Sequence, residues 1–133
     1  MEIARIYLDY SKYSFSIYNT NNLCDLCLEN KANILFKKNN NVYYICKTCS
    51  KAKVIEIFFK LISGKFNSTR LSTNRHYYII KRIKYDGLCN CKNKVEYEIS
   101  KYKINHSYVC GNCLKEELIK LKNYLLMIIT VKE

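Results

Sequence analysis

Eight cysteines fall into two quartets, and this spacing limits the chain more than any other feature. The first quartet is Cys24, Cys27, Cys46 and Cys49, and the second is Cys89, Cys91, Cys110 and Cys113. In both, a close pair is followed by eighteen residues and a second close pair. Two cysteines on a tight turn can point at one ion. Eighteen residues suffice for a hairpin that returns the second pair to it. Four thiolates in two close pairs make a tetrahedral site for which zinc is the usual occupant, so the spacing predicts two Zn2+ ions and leaves no cysteine over. Disulfides and redox dithiols are the alternatives. The opening Met1-Glu2-Ile3-Ala4-Arg5 lacks the basic-then-apolar pattern of a secretory leader, which points to reduced thiols in a cytosolic or nuclear compartment. Linked pairs, twice over, fit a redox dithiol poorly.

More than cysteine repeats. Tyr44-Ile45-Cys46 matches Tyr108-Val109-Cys110, and Val54, Ile55, Ile57, Leu61 and Ile62 match Leu118, Ile119, Leu121, Leu125 and Leu126. A repeat this regular argues for two copies of one supersecondary unit. Each copy is of a size at which an apolar core alone is marginal. Metal binding supplies the missing folding free energy, about 10 kcal/mol or more per structural site.

In chain order, Ile3 to Leu8 and Tyr13 to Tyr18 read as strands, the second alternating at period two. Asn33 to Phe36 and Val42 to Ile45 form a hairpin around the tip Lys37-Lys38-Asn39-Asn40-Asn41, where Asn suits left-handed backbone. Cys46 and Cys49 then open a helix over Lys47 to Ser63, with Gly64 as its stop. Residues 64–75 are polar and basic and read as a linker, in sharper form a phosphate-contacting strap. His76 to Tyr85 reads as a strand. Module two repeats the order with a hairpin from Glu96–Ile99 to Ser107–Val109 and a helix from Gly111 to Met127. Its first pair, Cys89-Asn90-Cys91, is one residue shorter than a normal zinc turn. His106 lies near Cys110, but four cysteines already complete the shell. The division expected is 1–63, strands plus zinc module one; 64–75, linker; and 76–133, zinc module two. The fold class expected is a small zinc-dependent α+β protein of two zinc-turn, hairpin and helix modules.

Zinc turn, hairpin and a helix carrying the last two ligands: this order resembles the treble-clef finger family, and the pair spacing is similar to that of GATA-type fingers. The resemblance implies zinc and the fold. It leaves function open, because such units serve DNA, RNA and protein partners alike. GATA-type fingers carry a Trp in the hairpin and Asn-Ala between the last cysteines. This chain has no Trp, and Lys47-Thr48 and Gly111-Asn112 stand in that gap, so the DNA-reading role is not inherited.

The chain carries 23 Lys and Arg against 11 Asp and Glu, a formal net charge of +12. Two zinc centres with four thiolates each reduce this to about +8. An excess of this size together with zinc modules points to a nucleic acid. The expected contacts are Lys37 and Lys38 in the first hairpin tip, Lys65, Arg70, Arg75, Lys81, Arg82 and Lys84 along the linker and following strand, and Lys101 and Lys103 in the second tip. Tyr77 and Tyr78 beside these cations could stack bases or simply cover the core. Two full zinc shells offer no open position for catalysis, and neither His sits in a nucleophile motif, so no enzyme is expected. No apolar run reaches the length of a membrane span. The leading expectation is an RNA-binding protein docked on rRNA in the cytoplasm, with ribosomal proteins as possible neighbours. Its basic, Lys- and Tyr-rich character resembles the dormancy factors that occupy idle microsporidian ribosomes, which implies a blocked functional site and inhibited translation. A DNA-binding regulator with tandem GATA-like fingers and a zinc-scaffolded adaptor for proteins are the alternatives.

Overall fold

The computed structural model describes residues 1–64, 66–102 and 105–131. Eight strands and two helices follow in the order β1 (Glu2–Leu8), β2 (Ser11–Ile17), β3 (Ile34–Lys38), β4 (Asn41–Ile45), α1 (Lys47–Ile62), β5 (Ser68–Thr73), β6 (Tyr77–Arg82), β7 (Tyr97–Lys101), β8 (Asn105–Val109) and α2 (Gly111–Val131). All eight strands join one antiparallel sheet in the order β4-β3-β2-β1-β5-β6-β7-β8. Each half is therefore a meander, and the halves meet along β1 and β5. Ile6 pairs with Leu71 at this seam. These two residues stand 65 positions apart, the same offset as Cys24 and Cys89, so the pair lies on the local two-fold that relates the halves.

The sheet runs through both modules, and this arrangement corrects one expectation. Residues 64–75 are not a solvated linker, because they hold β5 at the centre of the sheet. Thr69 and Leu71 are buried there, and Thr69 Oγ1 donates to the Tyr7 carbonyl at 2.6 Å. Short polar residues hid the strand. Leu71 is the only large apolar side chain among Ser68-Thr69-Arg70-Leu71-Ser72-Thr73, although its alternation with two β-branched threonines has the strand period.

The tight turns fall where the sequence allows left-handed backbone. Asp9 (φ 51°) and Asn39 (φ 56°) occupy the two-residue connections β1–β2 and β3–β4. Asn39 also accepts from the Lys12 N–H through Oδ1 at 2.9 Å, which fixes the register of the neighbouring hairpins.

One face of the sheet is covered and the other is open. Ile6, Tyr13, Phe15, Ile34, Phe36, Ile80, Tyr97 and Ile99 turn toward the helices and form one core with Val54, Ile57, Phe58 and Leu61 of α1 and Leu114, Leu118, Leu121 and Leu125 of α2. Phe15 and Phe36 pack at 4.9 Å between ring centroids. The helices run antiparallel: Lys47 at the start of α1 reaches the Thr130 carbonyl near the end of α2 at 3.5 Å. α2 continues past the expected Met127 to Val131, because Ile128 and Ile129 are buried and hold the extra turn down. No helix among the described residues is long and apolar enough to cross a membrane. Replacing Phe36, which is 2% exposed, with Ala is expected to cost about 3–5 kcal/mol; denaturant unfolding of the zinc-loaded protein measures it.

Candidate metal centres and the open face of the sheet

Each cysteine turn sits between two hairpins and is closed by local hydrogen bonds. The Leu28 N–H donates to the Cys24 carbonyl at 3.0 Å, and the Lys92 N–H to the Cys89 carbonyl at 2.8 Å. Both residues take left-handed backbone, at φ 59° and 70°. This bends the chain just after the second cysteine, so two sulfurs converge. The remaining two ligands come from the helix starts. Cys46 is the N-cap of α1, and its sulfur accepts from the Cys49 N–H at 3.4 Å; Cys110 and Cys113 repeat this contact at 3.4 Å. Thiolate charge there also meets the positive end of the helix dipole.

The four sulfurs of each quartet lie within 4.8 Å of one another. Around a tetrahedral zinc with bonds of about 2.3 Å, neighbouring sulfurs stand about 3.8 Å apart. Cys27 and Cys46 are 3.8 Å apart, Cys91 and Cys113 3.6 Å, Cys89 and Cys113 3.4 Å, and Cys91 and Cys110 3.2 Å. All eight are free thiols. The donor sets fit two zinc ions, and the shorter Cys89-Asn90-Cys91 turn still brings both its sulfurs into the second set. Among the described residues the four cysteines alone make up each cluster. His106 bonds Ser100 through Nδ1 at 2.9 Å instead.

Electrostatics explains why such clusters call for a cation. Burial alone would raise the Cys24 thiol, but hydrogen bonds from the N–H groups of Cys27, Cys46 and Leu26 and from Cys49 bring it down to about 6. The N–H groups of Cys91 and Cys110 outweigh burial and lower Cys89 to about 6 as well. The last thiol of each set goes the other way. Burial and the neighbouring Cys24, Cys46 and Cys27 push Cys49 up to about 12, and contact with Cys89, Cys91 and Cys110 raises Cys113, with burial adding to it. Four adjacent negative charges repel one another, and a divalent ion removes that repulsion.

Two ligand-supporting residues escaped the sequence reading. Asn30 Nδ2 faces the sulfurs of Cys27 and Cys46 at 3.9 and 3.8 Å. Asn93 Nδ2 faces those of Cys91 and Cys110 at 3.3 and 3.9 Å. Both carry an amide to the same two ligands of their quartets. The signal in the sequence was an Asn shortly after each first pair, lost among many other asparagines.

The expected nucleic-acid contacts separate by strand alternation. Lys37, Arg70 and Lys81 lie on the open face, opposite the helices. Lys38 and Lys101 fall on the helix side; Lys101 Nζ reaches Glu117 at 3.7 Å and sits over the Tyr78 ring at 5.3 Å. Tyr78 is buried, so it covers core. Arg82 is committed to the fold: its Nε donates to the Phe66 carbonyl at 3.3 Å, and its Nη2 donates to the Gly64 carbonyl and to Tyr97 Oη at 3.0 Å from the latter. Arg75 lies between β5 and β6 and Lys84 beyond β6, both exposed. Lys65 and Lys103 lie outside the described residues. The structure adds Arg5 and Lys12 to the open face. Tyr7 pairs with Lys12 on one side and Arg70 on the other. Both cations sit over its ring, at 5.4 and 5.5 Å. Arg5 also meets Glu2 at 3.0 Å.

The fold and site define a two-layer α+β protein, an eight-stranded antiparallel sheet on two helices, with a four-cysteine metal centre in each half. No family model, curated protein or solved structure matches the chain.

Stripping zinc with a strong chelator is expected to abolish the folded circular-dichroism spectrum. Acid should do the same by protonating the ligands. The thiols of Cys24 and Cys89 are depressed, so their contribution is present above the ordinary thiol range and is lost as pH falls through about 6. Coordination depresses them further, so release monitored with a zinc-sensitive dye should have its midpoint at or below about pH 6. Asn30→Ala should weaken zinc at the first site about 10-fold or more, read by competition with a chelating dye.

Proposed function

We propose that this is a zinc-stabilised RNA-binding protein that lays the open face of its sheet on RNA, with ribosomal RNA as the partner class. The observation that carries this reading is the composition of that face. Arg5, Lys12, Lys37, Arg70 and Lys81 share it with Glu98, and Tyr7 lies at its centre between two of the cations. Tyr44 and Tyr108 stand on the two edge strands of the same face; Tyr44 packs at a tilt against Tyr18 with centroids 5.2 Å apart, and Tyr108 stacks on Tyr85 at 4.7 Å. Rings and cations alternating across a sheet suit a backbone that offers phosphates and unstacked bases together.

Zinc here serves rigidity. Each centre fastens a hairpin to a helix, so the cations are displayed without an entropic cost of ordering at the moment of binding. The order of cysteine turn, hairpin and helix in both halves supports reading each as a treble-clef-type unit, fused through β1 and β5. A major-groove reader is less well supported: α1 turns Ile55, Glu56 and Phe59 to solvent, which offers little to base edges. Within this reading the protein occupies a functional site of idle ribosomes and blocks translation, in keeping with its small size and its excess of positive charge.

Arg70→Glu with Lys81→Glu should weaken RNA binding about 10-fold or more and flatten its salt dependence. Arg82→Ala should instead leave RNA affinity unchanged and lower stability by about 1 kcal/mol or more. Co-sedimentation of the native protein with ribosomal particles tests the partner, and its absence from them at low salt would remove the ribosome from the reading.

A further inference from the structure

A concavity of about 350 Å3 opens on the sheet face beside Tyr7, lined by Tyr7, Asp9, Ser68, Arg70, Ile79 and Lys81. It combines two cations with a carboxylate, and the carboxylate is held rigidly. Asp9 sits in left-handed backbone at φ 51°. Its own N–H donates to the Ser68 carbonyl at 2.9 Å. Its Oδ1 accepts from the N–H groups of Asn67 and Ser68 at 2.9 and 3.0 Å. Its Oδ2 makes no hydrogen bond or ion pair among the described residues. The position is therefore an acceptor, oriented by three hydrogen bonds, at the rim of a cationic hollow.

A carboxylate oxygen repels phosphate and accepts from a donor. Only one oxygen is unused, so Asp9 cannot grip a base edge with both carboxylate oxygens, and a single hydroxyl donor suits it. Arg70 and Lys81 stand on β5 and β6, where Arg70 pairs with Ile79 and Ser68 with Lys81. They supply the charge for the backbone that threads past, and Tyr7 and Ile79 supply an apolar floor. Within a nucleotide, the single donor that lies beside the phosphate is the ribose 2′-hydroxyl.

We propose that this concavity is a ribonucleotide subsite in which Asp9 Oδ2 accepts a hydrogen bond from the 2′-hydroxyl, so that the open face selects single-stranded RNA over DNA. The inference rests on the reading of that face as a nucleic-acid surface and names what it distinguishes. A deoxy strand brings the same phosphates but leaves Oδ2 desolvated without a donor. Discrimination of about tenfold or more follows for a hydrogen bond to a charged group.

The test uses the full zinc-loaded chain and fluorescence anisotropy with labelled oligoadenylate of one length as RNA, as DNA and as 2′-O-methyl RNA. The wild-type protein should bind RNA about tenfold tighter than either of the others, because the methyl ether keeps an acceptor and loses the donor. Asp9→Asn keeps an Oδ1 for the two N–H groups and tolerates left-handed backbone. It should bring the 2′-O-methyl strand up toward RNA, because the ether oxygen can accept from the new amide as the hydroxyl oxygen does. Equal binding of RNA and DNA by the wild type, or an unchanged ratio of RNA to 2′-O-methyl RNA in Asp9→Asn, would overturn the role of Asp9 and leave the face as a general nucleic-acid surface. Failure of all three strands to bind would overturn the reading of the face itself. The 2′-O-methyl comparison needs no variant, so it holds whether or not Asp9→Asn is fully stable.

Discussion

Four sulfurs held within a few ångströms of one another cannot all carry charge unless a cation sits among them, and the rest of this structure is built around that constraint. Each cluster draws on two places in the chain, a cysteine turn between hairpins and the first turn of a helix. Coordination therefore ties the β2–β3 connection to the start of α1 and the β6–β7 connection to the start of α2, and it fixes where each helix begins its run beneath the sheet. The backbone N–H groups at the helix starts, and the side-chain amides of Asn30 and Asn93, donate to these sulfurs. The second requirement is the seam. β1 and β5 each complete the other half's sheet, and Ile6 and Leu71 bring the two apolar faces into one core.

One core for both halves explains the division of labour between the faces. Helices cover one side of the sheet, so the strands between its two edges alternate buried positions with more accessible ones. Residues one position apart thus have different roles. Lys37 faces solvent and Lys38 the helix side, and Lys81 faces solvent while Arg82 holds the crossover from α1 to β5 through the Gly64 and Phe66 carbonyls. A cationic surface on such a sheet needs no dedicated domain. It is the unused side of the same strands that make the core.

Much of this was legible in the sequence. The cysteine spacing determined the two ligand sets, because only side chains that can converge on one ion recur in close pairs at matched separations. The apolar period of Val54, Ile57 and Leu61, and of Leu118, Leu121 and Leu125, marked both helices and their buried faces. The hairpins around Asn39 and after Glu96 followed from β-rich runs flanking turn residues. Each of these signals is local, and local geometry is what residue type and spacing encode.

Tertiary structure decided what depends on distant partners. β5 is a strand because β1 and β6 supply hydrogen-bonding partners on both sides, which offsets the weak apolar content of Ser68 to Thr73. The open face exists because Arg70, remote in the chain from Tyr7 and Lys12, is the neighbour of Tyr7 in register. The sequence by itself determined which residues hold metal and which segments are helical, since those follow from short-range reach and periodicity. Which cations stand together, which are spent on the fold, and where Asp9 comes to rest were settled only by strand pairing, since a pairing partner is chosen by the whole sheet and not by its neighbours in sequence.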